Sequence, residues 1–330
     1  MSQDAIQLGR TGPKNVFPIG LGCMALSSSY TQTDDETGLR VLDRALERGV
    51  TLLDTGDFYG MGHNEMLIGR AIRGRDRARF QLSVKFGGQR DPSGAWVGFD
   101  TSPAAVKTSC AYSLQRLGVD YIDIYRPGRL DPRVPIEDTV GAIKDLIQAG
   151  YVRHVGLSEV GVETIRRAHA VHPVADLQIE YAVATRGPEA SIFPALRELG
   201  VSATLYGVLS RGLLSGSKPT DATDYRKHLP RFTGEAGAQN AQVVERFAAF
   251  ARDRGMSPAQ LAYAWVLAKE PGFLPLAGAR TVAQLDDTLG ALDHPLSASD
   301  VAALEELVPK GAIAGDRYPT QHMAMLDSER

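Results

Sequence analysis

Asp54, Tyr59 and Lys85 have side chains and a spacing that suit proton transfer. An apolar run over residues 50–53 is typical of a buried strand, which would end at Asp54 and be followed by Tyr59 in a loop. The next apolar run, over residues 80–84, ends at Lys85. If these two runs form neighbouring parallel strands, an acid, a phenol and an amine lie together at one rim of a sheet.

This combination could make the phenol of Tyr59 a general acid. A phenol with a pKa of about 10 is a poor acid at neutral pH, but a neighbouring ammonium group favours the phenolate. Asp54 would keep Lys85 charged and oriented. Each residue also has a structural alternative, since ion pairs without a catalytic role are common. Asp54 could begin a turn, Tyr59 could pack in the core, and Lys85 could lie in solvent.

Strand and helix patterns alternate along the chain and would position these residues. Short apolar runs predict strands over residues 19–23, 52–54, 80–85, 121–125, 152–157, 177–181, 201–206 and 273–276. Amphipathic stretches predict helices over residues 34–48, 64–73, 102–117, 136–149, 162–171, 191–199, 239–254, 257–269 and 282–292. This alternation predicts an α/β fold, a (β/α)8 TIM barrel. We expect one domain over residues 1–330, with a short N-terminal segment and an extra C-terminal helix over residues 299–307.

Two connections, over residues 87–101 and 207–238, are longer than the others and follow predicted strands. Both would lie over the carboxyl rim, where barrel enzymes hold their active sites. The second connection contains the sequence SRGLLSGS and then a stretch rich in Pro, Thr and Asp. It could close over a ligand; the alternative is a mobile surface loop.

Composition is that of an ordinary globular protein, with 43% hydrophobic and 23% charged residues. The net charge of −3 and the lack of a basic run disfavour nucleic-acid binding. The first residues lack an apolar signal region, and no run approaches about 18 apolar residues, so we predict a cytoplasmic protein without a membrane segment. Cys23 and Cys110 are too few for a disulfide framework or a zinc site, so we expect reduced thiols and no metal.

Several ordered motifs resemble those of the aldo-keto reductases over nearly the whole chain. They begin with LGRTG and GLGCM, continue with LLDTGDFYG, SVKFG, HVGLSE, QIEYA and LSRGLLSG, and end with LAGARTVAQLDDT. The resemblance implies an oxidoreductase that transfers hydride between NADP(H) and an aldehyde or ketone, or the corresponding alcohol, without a Rossmann fold. It also implies that Tyr59 is the general acid, that Lys85 lowers its pKa and that Asp54 pairs with Lys85.

The resemblance further implies residues that bind the nicotinamide and the pyrophosphate. Ser158, Glu159 and Gln178 match positions that hydrogen-bond the carboxamide, and Tyr181 matches the aromatic residue that stacks under the ring. Other matching positions lie in the first-strand loop or in the segment that wraps the pyrophosphate with backbone N–H groups. These positions are Gly22, Cys23, Met24, Tyr206, Gly207, Val208, Leu209, Arg211, Gly212 and Leu213.

At the adenosine end, Gly278 and Arg280 precede the last barrel helix, whose N-terminal N–H groups and dipole suit an anion. Arg280 matches a position that meets the adenosine 2′-phosphate. Because a guanidinium binds phosphate well, the resemblance favours NADPH/NADP+ over NADH. Gln284 matches an adenine contact, and Thr288 stands where many family members have asparagine.

Gly128 departs from the family pattern, because members usually carry an active-site histidine in the stretch that reads DIYRPGRLDP here. That histidine is expected to donate to the substrate carbonyl oxygen, and losing one such donor costs about 3 kcal/mol, or about 100-fold in rate. We expect the glycine to open space for a bulkier or differently oriented substrate. His63 is the nearest substitute donor in the sequence, although it could instead make a contact at a helix N-terminus. Arg126 or Arg129 could also face the rim, although Arg129 could instead pair with Asp131.

Phe58 and Trp96 are candidate apolar contacts for the substrate, together with Phe99 and parts of residues 216–238. We expect a small-molecule carbonyl substrate, no nucleic-acid or membrane partner, and a monomer or weak homo-oligomer. Two alternatives stay open. One is a nicotinamide-binding regulatory or sensor subunit with weak catalysis, which Gly128 favours. The other is a sugar or pyridoxal dehydrogenase with the same machinery.

Overall fold

Eight parallel strands close into a barrel in the computed structural model of the protein, which describes residues 5–27, 33–219 and 224–330. The barrel strands are β1 (Gly20–Gly22), β2 (Leu52–Gly56), β3 (Gln81–Phe86), β6 (Ile122–Pro127), β7 (Val152–Ser158), β8 (Val174–Glu180), β9 (Ser202–Tyr206) and β10 (Leu274–Ala277). Around the barrel their order is β1, β10, β9, β8, β7, β6, β3 and β2. The predicted α/β fold and TIM barrel are confirmed.

Helices follow the barrel strands and cover the outside of the barrel. They are α1 (Asp35–Glu47), α2 (His63–Ile72), α3 (Pro103–Leu117), α4 (Ile136–Gln148), α5 (Val162–Val171), α6 (Ile192–Leu199), α7 (Gly234–Arg252), α8 (Pro258–Lys269), α9 (Val282–Leu289), α10 (Ala298–Leu307) and α11 (Thr320–Met323). Most ends lie within three residues of the prediction. The main exception is α7, which begins earlier than predicted. None of the helices in the described ranges is long and apolar enough to cross a membrane.

Capping residues explain where several helices begin. Ser102 accepts a hydrogen bond from the backbone N–H of Ala105 at 3.4 Å at the start of α3, and proline occupies the first helical position. At the start of α8, Ser257 and Gln260 form a capping box, with distances of 3.0 and 2.9 Å. These side chains satisfy N–H groups that have no partner within the helix, so the helices can begin immediately after the rim loops.

The barrel interior is a packed core that contains a buried ion pair. Arg126 Nη2 lies 3.1 Å from Asp176 Oδ2, and both side chains are fully buried. Arg126 also donates to Ser83 Oγ at 2.9 Å. Arg126 therefore fills the middle of the barrel and does not face the rim, which corrects one of the expectations for the residues around Gly128.

Strand register brings the ends of several strands to the same rim. Gly22 of β1 lies opposite Asp54 of β2, and Ser158 of β7 lies opposite Gln178 of β8. Lys85 lies near the end of β3, which pairs with β2. Because all eight strands are parallel, these residues share the carboxyl rim, where barrel enzymes hold their active sites.

Three segments extend over this rim. The first long connection contains an antiparallel hairpin, β4 (Gly88–Arg90) and β5 (Trp96–Phe99), that the sequence analysis did not predict. The second contains short turns between β9 and α7, and its residues 220–223 lie outside the described residues. The C-terminal segment, residues 311–330, returns to the end of β7, where it forms hydrogen bonds and ion pairs.

Candidate active site

A cavity of about 800 Å3 opens at the carboxyl rim. This volume lies within the range of about 300–1,000 Å3 that is usual for ligand and cofactor sites. The residues from the sequence prediction that line it are Gly22, Met24, Asp54, Phe58, Tyr59, Lys85, Trp96, Gly128, Ser158, Gln178, Tyr206, Gly207, Val208, Leu209, Arg211, Gly212, Gly278, Arg280, Gln284 and Thr288. The barrel thus brings together residues from nearly every strand end.

A buried ion pair forms the floor of the cavity. Lys85 Nζ donates to Asp54 Oδ1, and each side chain is only 4% exposed. Asp54 Oδ2 accepts from Ser83 Oγ and from Gln178 Nε2, both at 2.8 Å. Burial lowers the pKa of Lys85, and the charge of Asp54 partly opposes this effect. The amine therefore has a fixed position and a compensating charge, as a buried ion requires.

Tyr59 lies beside this ion pair, in the loop that follows β2. Lys85 Nζ is 5.2 Å from the centre of the Tyr59 ring, and the Phe58 ring packs edge-on against it at 5.0 Å. The loop turns sharply after Tyr59, because Gly60 and Met61 have φ angles of 56° and 55°. A non-glycine residue in this left-handed region is strained, and such strain is concentrated at functional sites. The structure thus brings an acid, a phenol and an amine together.

Asp57, which the sequence analysis did not select, fastens this loop to β3. Its backbone N–H donates to Lys85 O at 2.8 Å, and its Oδ2 accepts from the backbone N–H of Gly87 at 3.2 Å. Burial raises the pKa of Asp57 from 3.8 to about 7, although the Gly87 hydrogen bond acts in the opposite direction. The carboxyl group thus fixes the position of the loop but resists ionisation.

We expect Asp57→Asn to stabilise the protein at about pH 8 by about 1–3 kcal/mol, with a much smaller gain near pH 4. Asparagine keeps the acceptor for Gly87, while a carboxyl with a raised pKa costs stability as the pH rises from 3.8 through about 7. Denaturant unfolding at both pH values measures the difference. Asp120→Asn, at an exposed aspartate, is the matched control. An equal gain at both pH values would contradict the prediction.

The segment after β9 has a backbone suited to anion binding. Ser210 and Arg211 have φ angles of 48° and 58°. Left-handed residues next to right-handed ones turn successive N–H groups toward one side and form a concave anion site. In the described part of the chain, the N–H groups of Val208 and Leu209 donate to no acceptor. The residues predicted to wrap a pyrophosphate therefore fit such a group.

The loop before α9 closes the opposite end of the cavity. A Cβ atom at Gly278 would meet no atom within 4 Å, so the backbone is open there. Thr281 caps α9 by accepting from the N–H of Gln284 at 3.2 Å, and Gln284 in turn accepts from the N–H of Arg280 at 3.0 Å. These bonds hold the loop that carries Arg280, whose side chain lines the cavity.

Tyr181 does not reach the cavity, contrary to the prediction. Its ring is fully buried and stacks on Trp265 at 5.3 Å, and its hydroxyl donates to Glu189 at 2.8 Å. Neighbouring residues of a strand point to opposite sides, and Tyr181 follows the last residue of β8 on the side of the helices. An aromatic ring that does line the cavity near this point is that of Tyr206, at the end of the neighbouring strand β9.

Cys23, Leu213 and Glu159 also fail to line the cavity. Cys23 and Leu213 are buried within the hydrophobic core. The thiol of Cys23 donates to the carbonyl oxygen of Leu21 at 3.7 Å, and burial raises its pKa. These side chains therefore serve packing, whereas Glu159 has a different set of partners.

The carboxylate of Glu159 binds the C-terminal segment. Arg317 donates to both its oxygens at 2.8 and 2.7 Å, Ser328 donates at 2.6 Å, and the hydroxyl of Tyr206 donates at 2.7 Å. Burial acts to raise the pKa of Glu159, but the hydrogen bonds and charge of Arg317 outweigh it and lower the pKa from 4.5 to about 2. Glu159 is therefore engaged by protein groups and not directed into the cavity.

The C-terminal segment supplies a wall of the cavity that the sequence analysis missed. Tyr318, His322, Met325 and Leu326 line it, and the hydroxyl of Tyr318 lies 3.1 Å from that of Tyr206. The only signal in the sequence was an aromatic residue beside a cation after the last predicted helix. Such a pair does not indicate which surface it will contact.

Comparison with known proteins agrees with this geometry. The model of the aldo/keto reductase family matches residues 18–309 of the chain. The chain is 38% identical over 328 residues to probable aldo-keto reductase 1 of Glycine max, covering 96% of this chain and 93% of that protein. The chain belongs to the aldo/keto reductase family. It is accordingly an oxidoreductase of carbonyl compounds, in a family that generally uses nicotinamide cofactors.

Solved structures of other family members are similar over almost their full lengths. The glycerol dehydrogenase of Gluconobacter oxydans has a TM-score of 0.83 and 27% identity, with 93% of this chain and 95% of that chain covered. An aldo-keto reductase of Bacillus halodurans in its holo form has a TM-score of 0.78 and 28% identity, with 97% of this chain and 99% of that chain covered. A thermostable aldo-keto reductase in complex with the inhibitor epalrestat has a TM-score of 0.72 and 26% identity, with 91% of this chain and 98% of that chain covered.

In this aldo-keto reductase, the space beside Gly128 is filled by aromatic rings. A Cβ atom at Gly128 would lie 2.9 Å from Phe58 Cε1 and 3.1 Å from Phe99 Cε1. The ring of Trp96 packs on both phenylalanines, at 5.7 and 4.8 Å between centres. The expectation that the glycine opens space for a bulkier substrate is therefore wrong, because neighbouring loops supply the bulk.

Of the suggested substitutes for the histidine, His63 does not face the cavity of the aldo-keto reductase. Its ring nitrogens are bonded to Ser27 Oγ at 2.9 Å and to Asp35 Oδ1 at 2.8 Å. Arg129 does line the cavity. It does not pair with Asp131, because the carboxylate of Asp131 binds Arg133 instead.

Proposed function

We propose that this aldo-keto reductase is an NADPH-dependent carbonyl reductase in which Tyr59 is the general acid. The observation that carries the proposal is the buried pair of Asp54 and Lys85, with Lys85 Nζ 5.2 Å from the centre of the Tyr59 ring. Two buried charges and a phenol at the floor of a large cavity match the requirements of proton transfer to a bound carbonyl group.

When bound, the nicotinamide cofactor supplies the hydride for the reduction. Ser158 and Gln178 would hold its carboxamide, with the ring of Tyr206 beside the nicotinamide in the role first expected of Tyr181. The backbone of residues 207–212 would bind the pyrophosphate, and Arg280 the 2′-phosphate. The cavity volume, the N–H groups of Val208 and Leu209 and the cation near α9 all suit a dinucleotide.

The residues on the cavity floor would act together on the proton. The hydroxyl of Tyr59 donates its proton to the carbonyl oxygen as negative charge develops there. The neighbouring ammonium of Lys85 favours the phenolate that remains, and Asp54 keeps that ammonium charged and in place. Gln178 holds Asp54 from the second oxygen. In alcohol oxidation Tyr59 takes the proton back.

Arg280→Ala is expected to weaken NADPH binding by about 10- to 150-fold, with little effect on NADH, since a charged hydrogen bond contributes about 1.5–3 kcal/mol. Titration of each cofactor against the intrinsic fluorescence of the protein measures the dissociation constants. Arg252→Ala, at an exposed arginine of α7, is the control. Equal losses of affinity for NADPH and NADH would show that Arg280 does not bind the 2′-phosphate.

The direct test is to mix the purified protein with NADPH and a panel of reactive aromatic aldehydes, and to follow the absorbance of the reduced cofactor. Consumption of NADPH supports the reductase. Tight NADPH binding without turnover on any aldehyde would support a sensor subunit instead. A dehydrogenase is the second candidate, because one similar structure is that of a glycerol dehydrogenase. Reduction of NAD+ by polyols at a higher rate than aldehyde reduction would favour it.

A further inference from the structure

Arg129 lies at the rim beside the proposed catalytic residues. It follows Gly128, whose N–H donates to Phe86 O at 2.9 Å, at the end of β6. β6 pairs with β3, the strand that carries Lys85. The residues assigned to phosphate groups follow β9 and β10, which lie three and four positions away from β6 around the barrel. Arg129 therefore lies on the catalytic side of the cavity.

The guanidinium of Arg129 is only partly used by the protein. Its Nη1 donates to Gly128 O at 2.7 Å and to Ser158 Oγ at 3.3 Å. Within the described ranges, its Nε and Nη2 atoms have no acceptor, and they are not among the polar atoms enclosed by protein. They are therefore open to the cavity that Arg129 lines.

No carboxylate in the described part of the chain forms an ion pair with Arg129, in contrast to Arg211 and Arg226 of the same cavity. Arg211 lies 2.9 Å from Glu180, and Arg226 lies 2.6 Å from Asp224. A cation in a partly dry site without a counter-ion is unfavourable, because it loses hydration without gaining a compensating charge. Glu159 acts on Arg129 from a distance, but both its oxygens are bound by Arg317, so no carboxylate of the described residues contacts the Arg129 guanidinium.

We propose that Arg129 binds an anionic group of the substrate, and that the preferred substrates are aldehydes or ketones that carry a carboxylate. This proposal rests on the proposed carbonyl reduction. The planar guanidinium can bind a carboxylate through two parallel hydrogen bonds, here from Nε and Nη2. Phe58, Trp96 and Phe99 form an aromatic cluster next to Gly128. An aromatic ring bearing both an aldehyde and a carboxylate would match these features.

Two aldehydes of nearly equal size test this inference: para-carboxybenzaldehyde, which is anionic, and para-nitrobenzaldehyde, which is neutral. We expect Arg129→Met to lower the ratio of their kcat/KM values, carboxy over nitro, by about 10- to 150-fold. The loss should lie mainly in the KM of the anionic substrate, because the carboxylate is bound equally in ground and transition states. Arg129→Lys, which keeps the charge without the planar fork, should retain part of the preference.

Arg246→Met, at an exposed arginine of α7, is the matched control and should leave the ratio unchanged. An unchanged ratio in Arg129→Met would overturn the proposal, as would equal losses with both aldehydes. Circular dichroism of each variant identifies a folding defect. If Arg129→Met fails to fold, Arg129→Lys decides the question, because an unchanged carboxy-over-nitro ratio of kcat/KM values in that variant would overturn the proposal.

A binding measurement separates this inference from the proposed function. Calorimetry with para-nitrobenzoate and the neutral para-nitrobenzamide requires no turnover. We expect the wild type to bind the benzoate more tightly, and Arg129→Met to lose this preference. If neither aldehyde is reduced, the proposed function fails, while benzoate binding that depends on Arg129 would still support an anion site. Equal binding of the benzoate and the benzamide by the wild type would overturn the proposed anion site.

Discussion

Replacing Tyr59 with phenylalanine is expected to lower the turnover of carbonyl reduction by about 100- to 10,000-fold, while NADPH binding stays close to that of the wild type. The substitution removes only the hydroxyl that would give the proton. The ring remains, so its packing against Phe58 and its position above Lys85 are kept. Steady-state kinetics with a reactive aldehyde measure turnover, and a fluorescence titration measures cofactor binding.

Tyr151→Phe is the matched control for this prediction, because it makes the same chemical change at a side chain that is 49% exposed. It should leave turnover and NADPH binding unchanged. If Tyr59→Phe keeps more than about a tenth of wild-type turnover, Tyr59 is not the general acid. If cofactor binding falls in parallel with turnover, Tyr59 serves the structure of the cavity and another group moves the proton.

The second large effect is expected from Arg317→Met, which should destabilise the protein by about 3–5 kcal/mol. The substitution leaves the carboxylate of Glu159, which is 1% exposed, without its bidentate partner. It should also raise the KM for aldehydes, because Tyr318 and Leu326 of the C-terminal segment line the cavity. Denaturant unfolding and steady-state kinetics measure the two effects.

The pH dependence of this destabilisation gives a second measurement of the same pair. The pKa of Glu159 is lowered from 4.5 to about 2, so in the wild type the pair stabilises the folded state above pH 4.5 and loses this effect as the pH falls toward 2. In Arg317→Met the buried carboxyl can take up a proton instead. The difference in unfolding free energy between the two proteins should therefore shrink as the pH is lowered from about 7 to about 4.

The double variant Glu159→Gln with Arg317→Met controls for the loss of packing. Removing both charges takes away the buried carboxylate that Arg317→Met leaves unpaired, so the double variant should recover part of the stability that Arg317→Met loses. A double variant no more stable than Arg317→Met would show that the charge of Glu159 is not the source of the loss. A difference independent of pH would lead to the same conclusion.

Much of the barrel could be predicted from the sequence, because its strands and helices follow local periodicity. The apolar runs before Asp54 and Lys85 gave the strands that deliver these residues to one rim, and the hydrophobic pattern of parallel strands is hard to mistake. The hairpin β4–β5 was missed because its strands of three and four residues include glycines, and short glycine-containing strands lack a clear pattern.

The candidate site was predicted where roles depend on strand ends and missed where they depend on distant packing. The prediction placed Tyr181 beside the nicotinamide, but its ring faces the helices, because the sequence does not show which side of the barrel a residue faces after its strand ends. The partner of Glu159 lies 158 positions away in a segment without a recognisable motif. The filling of the space beside Gly128 depends on rings from two other loops.

The family confirms an oxidoreductase of carbonyl compounds. The preference for NADPH and the roles of Tyr59, Lys85 and Asp54 stay predictions that the variants above can test. The absence of a histidine at Gly128 makes these tests more informative, since Tyr59 would have to act without the donor that the family usually provides.

The C-terminal segment has a consequence for how this protein can diversify. It supplies part of the cavity wall, yet Glu159 at the end of β7 anchors it through Arg317 and Ser328. Substitutions at His322 or Met325, which line the cavity, would alter its shape while the barrel and the anchor stay intact. Selection for new substrates could therefore act on a few residues near the end of the chain, separately from selection for a stable fold.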